Sequence, residues 1–141
     1  MQAHYHPGPL PEAAITAVPA EFAAMAARIA ELATAGNGEV AFPAADRGLA
    51  VVIVRISVGP IVVAAAGGVL SVSGSSEAIN LFGRNMPDEP SLPVGYHVHF
   101  EHPGREWHVA AESVPLVLMV GKAADAGPSA APDLPSDLRH F

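Results

Sequence analysis

The sequence predicts an α+β fold, an antiparallel β-sheet with an N-terminal helix and one inserted helix packed on one face, and three observations carry that prediction. Short β-prone runs fill the stretch from Gly38 to Ser73 and return as Pro115-Leu116-Val117-Leu118-Met119-Val120. Phe22, Met25, Ile29 and Leu32 repeat at helical spacing ahead of those runs. Ser75-Ser76-Glu77 supplies serine caps and a first-turn acid for a second helix between strands.

Taken in order, residues 1–18 hold His4, His6, Pro7, Pro9 and Pro11 among small residues, and read as a flexible N-terminal arm. His4 and His6 can ligate a metal, but a solvated chain end is the favoured reading of them. Pro19 suits the first turn of a helix, Glu21 its positive N-terminal dipole and Gly36 its stop, so a helix is expected over Pro19 to Ala35. Strands are expected at Glu39 to Phe42, at Leu49 to Val58, and at Ile61 to Ala66, the last returning beside its predecessor through Gly59-Pro60. Beyond Gly67-Gly68, Leu70 and Val72 alternate with Ser71 and Ser73 in the pattern of a half-buried strand. The inserted helix runs from Ser76 to about Arg84 with Ala78, Ile79 and Phe82 inward, and Pro87, Pro90 and Pro93 make Asn85 to Pro93 a loop. A histidine strand, Gly95 to Glu101, and a final strand, Pro115 to Val120, complete a single domain over 19–121. The Ala, Pro, Asp and Ser composition of 122–141 predicts a disordered or loosely docked tail. No internal repeat stands out.

Composition narrows the function. Fourteen acidic residues against seven basic give a formal charge of -7, which repels phosphate backbones, excludes direct nucleic-acid binding and suits a basic protein partner. Without cysteine there is neither a disulfide framework nor a thiolate nucleophile. Gly48 to Val72 is apolar enough to suggest a membrane span. Arg55 inside it, Gly59-Pro60 and Gly67-Gly68 instead read as successive strands with turns, so no membrane partner is expected. No secretory signal is evident and a cytoplasmic location is expected.

The chemistry concentrates in Tyr96-His97-Val98-His99-Phe100 followed by Glu101-His102. Strand parity places His97, His99 and Glu101 on one face and Tyr96, Val98 and Phe100 on the other, toward the helices. Two imidazoles and a carboxylate can hold a divalent metal, with His97, His99, Glu101 and His102 as ligands. The His-x-His pair also opens the metal motif of cupins, but Glu101 is too close and Glu106 too far for that motif, and only His108 and His140 follow. No serine elbow, paired carboxylates or phosphate-binding loop accompany the histidines, so no catalytic residue is assigned. The alternatives are a sheet scaffold, with Arg55 pairing Glu101, and a partner-binding face formed by His97, His99, Glu101 and Trp107, the only tryptophan.

From Leu70 to Val120 the order of motifs resembles the Imm32 group of bacterial immunity proteins. The shared features are a strand ending in Gly74, a helix beginning Ser76-Glu77, a Pro-rich loop, His97-Val98-His99-Phe100-Glu101, and a last strand with Pro115 to Leu118. The resemblance implies a non-enzymatic protein that neutralises a cognate bacterial toxin by binding it, without a cofactor. The N-terminal helix lies outside it, and His102 and the Trp107 segment depart from its pattern.

Overall fold

A computed structural model describes residues 1–45, 48–102 and 109–122. The fold is α+β, with an N-terminal helix and a second helix inserted between strands, and it contains two four-stranded sheets rather than one. The elements in chain order are β1 (Gln2–His6), β2 (Glu12–Ala17), α1 (Pro19–Ala35), β3 (Glu39–Pro43), β4 (Val51–Ile56), β5 (Val62–Ala66), β6 (Val69–Gly74), α2 (Ser76–Arg84), β7 (His97–Phe100) and β8 (Leu116–Val120). Sheet A has the order β1-β2-β8-β7 and sheet B the order β3-β4-β6-β5.

The expected arm over 1–18 forms the β1–β2 hairpin, and β2 is an inner strand of sheet A. Its prolines mark the connection between the two strands. Ala13, Ile15 and Ala17 alternate inward and are fully buried, but their small side chains give a weak apolar signal in the sequence. A second expectation also changes. β5 does not lie beside β4 but beside β6, antiparallel through the Gly67-Gly68 turn, whose two positive φ angles of 60° and 78° match a type I′ hairpin. β4 runs parallel to β6, as β2 does to β8, so each sheet is mixed. Gly48 to Val72 thus yields strands, and no helix among the described residues is long and apolar enough to cross a membrane.

Sequence and structure agree on the helices. Phe22, Met25, Ile29 and Leu32 are the buried stripe of α1, Pro19 opens it, and Gly36 closes it in the left-handed conformation with its N–H on the Leu32 carbonyl. Ser75 caps α2 by accepting from the Ala78 N–H at 3.1 Å. α1 packs on α2, α1 on β3 and β4, and α2 on β4 and β6. The inner faces of both sheets and both helices share one apolar core, and no polar or charged side chain is buried among the described residues.

The order ββαββ occurs twice. Exchanging β1-β2-α1-β3-β4 with β5-β6-α2-β7-β8 turns the strand order of sheet A into that of sheet B read backwards. The equivalence holds at the level of single hydrogen bonds. Gln2 faces Thr16 as Val62 faces Ser73, Leu116 faces Ala13 as Val52 faces Leu70, and His97 faces Met119 as Glu39 faces Arg55. Ala45 and Leu49 donate to the carbonyls of Met1 and Ala3 at 2.9 and 2.8 Å, while Ala110 and Val114 donate to Ile61 and Val63 at 2.8 and 2.9 Å. The edge strand that opens each half, β1 or β5, is therefore stitched to the connection leading into the other sheet's inner strand.

Candidate functional site

β7 is an edge strand of sheet A among the described residues. His97 and His99 are exposed on its outer face, Val98 is half-buried against the core, and Phe100 is fully buried with its ring 4.9 Å from that of Phe82 on α2. The alternation expected from the sequence holds at these four residues. Tyr96 departs from it: it precedes the strand, is 44% exposed and does not face the helices. The Gly95 N–H reaches the Val120 carbonyl and the Val120 N–H reaches the Tyr96 carbonyl, so two residues oppose one and the alternation is reset at this bulge.

Glu101 lies just beyond β7 and is exposed. Its expected pairing with Arg55 does not form. Arg55 belongs to β4 in sheet B, where register puts it directly opposite Glu39, and its Nε donates to Glu39 Oε1 at 2.9 Å. His102 Nδ1 lies 3.0 Å from the Val109 carbonyl, which only accepts, so this nitrogen carries the proton and donates. The His102 ring is thereby tied to the segment entering β8 rather than to His97 and His99. Trp107, His108 and His140, together with Asp46, Arg47 and the tail beyond Lys122, lie outside the described residues.

The two histidines of β7 stand edge to face with ring centroids 4.9 Å apart, and His97 Nδ1 donates to the Gly95 carbonyl at 3.0 Å. That hydrogen bond places a proton on Nδ1 and orients the ring. No group of three or more His, Asp or Glu is gathered in metal-ligating range among the described residues.

Histidines missed as partners by sequence reasoning share this face. His4 and His6 project from the opposite edge strand, β1, with ring centroids 6.4 Å apart. Register aligns His4, Ala14, Val117 and His99 in one row across the sheet, and Gln2, Thr16, Met119 and His97 in the next. The outer face of sheet A is thus an apolar centre between two histidine pairs, with Glu12 and Glu101 at one end. The pairs stand three strand spacings apart, about 14 Å, too far to share an ion. Parity in the residues 2–6 segment would have found this, had that segment been read as a strand.

The duplicated fold supplies an internal control. On sheet B the positions equivalent to His97, His99, His4 and His6 hold Glu39, Ala41, Ala64 and Ala66. The fold itself therefore does not require histidine at any of them. No protein-family model, curated protein or solved structure matches this chain.

Proposed function

We propose that this chain is a non-enzymatic protein-binding domain that engages its partner through the outer face of sheet A, and that the partner is a bacterial toxin neutralised by the contact. The supporting observation is the confinement of His4, His6, His97 and His99 to one outer face when the equivalent face of sheet B carries none. Met119, exposed among these polar groups beside the buried Val117, offers an apolar anchor of the kind a protein contact uses. The chain's charge of -7 steers it toward a basic protein. The toxin reading rests on the motif order shared with the Imm32 group.

Co-expression with the toxins encoded beside its gene restores growth for at least one of them, and failure against every neighbour removes the toxin reading. With a partner in hand, Glu101→Lys weakens binding roughly tenfold, about 1.4 kcal/mol, and leaves the thermal midpoint unchanged. Equal affinities for the variant and the native chain move the contact off this end of sheet A.

One observation favours a second reading, a divalent-metal site on His97 and His99: the Nδ1 contact with Gly95 orients one imidazole as metal-ligating histidines are commonly oriented. The pair supplies two of the four to six positions such an ion takes. Elemental analysis of protein purified without a histidine tag separates the readings. Stoichiometric metal that disappears in His97→Ala and His99→Ala supports the site, and metal-free protein with full partner binding removes it.

A further inference from the structure

We infer that the outer face of sheet B is a self-association surface on which a second copy of this chain docks, a reading independent of the one above. The two outer faces occupy equivalent places in the duplicated fold, with the same pleat and the same register. What the backbone demands of one it demands of the other. The face of sheet A is nevertheless dominated by histidine, glutamate, glutamine and threonine, whereas on sheet B Val51 and Val69 form one end, Ile53 the centre and Val62 a corner of the other end, all half-buried on the face turned away from the helices. Runs such as Val51-Val52-Ile53-Val54 are those of a strand covered on both sides, and among the described residues the helices cover this strand on one. An aliphatic patch that the fold does not require points to a covering protein.

Charge identifies the cover as a second copy. Glu39 and Arg55 are the face's charged residues among those described, and they neutralise each other at 2.9 Å. The face is therefore neutral in a chain of charge -7. A basic partner gains nothing there over the rest of the surface, but another copy of an acidic chain meets it without like charges opposed. Across a two-fold axis the Glu39–Arg55 pair is also complementary to itself. Ala41, Ala64 and Ser71 keep the surface low, so that two sheets can approach to the roughly 10 Å of face-to-face packing.

Area sets the strength. Four strands at about 4.8 Å and five residues at about 3.3 Å give roughly 320 Å² of face per copy. Even with its margins the pair stays below about 1,200 Å² in total, the size of a reversible contact rather than of an obligate dimer.

The test is sedimentation velocity on the full chain from about 10 μM to about 1 mM, the range over which a contact of that class dissociates. The mass rises from 14.4 kDa toward twice that value with concentration. Ile53→Lys and Ala64→Glu each hold the chain at the monomer mass, whereas Met119→Lys, at the Arg55-equivalent position of the other sheet, leaves the dimer intact. Ala64 is exposed on an edge strand, so its variant carries the test even if Ile53→Lys disturbs folding; circular dichroism melts distinguish the two cases. Native protein that stays monomeric at the highest concentration overturns the proposal. So does a dimer that survives both substitutions, and so does an Ile53→Lys variant whose single defect is loss of a different protein partner.

Discussion

Gly48 carries more than its size suggests. It bridges to Ala3, linking the connection between β3 and β4 to the edge of sheet A, at a φ of +82°. A Cβ there would lie 2.3 Å from the Ala3 carbonyl oxygen and 2.7 Å from His4 Nδ1, and the backbone oxygen cannot move away because it accepts from the Leu49 N–H. Gly59 has nearly the same φ, +80°, with nothing within 4 Å of such a Cβ. Backbone strain alone costs about 1 kcal/mol and a clash with fixed backbone adds to it, so Gly48→Ala loses about 3 kcal/mol in urea unfolding and Gly59→Ala about 1. Equal losses would mean that the bridge does not constrain the chain. Residue chemistry was legible from sequence only where it depends on near neighbours. The parity of His97, Val98, His99 and Phe100 follows from the pleat alone. The partner of Arg55 does not, because Glu39 faces it by virtue of a register set across a loop, and both side chains are about half exposed.

At the level of elements, the crossing of α1 and α2 is fixed by Gly83. A Cβ at this buried helical glycine would come within 2.7 Å of Ile29 Cγ2 on α1, so the missing side chain is what lets the helices approach. Overpacking of this kind costs about 1–3 kcal/mol, and Gly83→Ala destabilises by about 2. Ile29→Val retains Cγ2, whereas Ile29→Ala removes it. The double variant Gly83→Ala/Ile29→Ala is accordingly less destabilised than the sum of its singles, by at least about 0.5 kcal/mol in a double-mutant cycle. Strict additivity would show that the helices separate rather than clash. Both helices were readable in advance because their signals are local: the Phe22, Met25, Ile29 and Leu32 spacing, Pro19, Gly36 and the Ser75 cap. The placement of β5 was not. Gly59-Pro60 and Gly67-Gly68 both read as turns, and what inserts β6 between β4 and β5 is a parallel pairing with no local signature.

For the molecule as a whole, the duplicated ββαββ unit escaped sequence reading because the halves keep burial parity and little identity. Val40 and Phe42 recur as Val98 and Phe100, but Ala13 and Ile15 are answered by Leu70 and Val72, and the 17-residue α1 by the nine-residue α2. Each half contributes one hairpin to each sheet, and two-stranded hairpins are marginal in isolation. Cutting the chain between Val58, which is exposed, and Gly59 therefore gives fragments that each lack a cooperative melt, and mixing them restores one, as read by circular dichroism. A cooperative transition in either fragment alone would contradict the interdependence of the halves. The same nesting bears on synthesis. β2 leaves the ribosome long before β8, yet they are inner neighbours in sheet A. Until β8 emerges, the nascent hairpin keeps one edge of β2 unpaired beside the apolar side chains of Ile15 and Ala17. Pairings between strands so far apart in sequence form slowly. The interval between the two strands is when this chain is most open to aggregation and to chaperones, and its native state is reached only after the whole of β8 has been made.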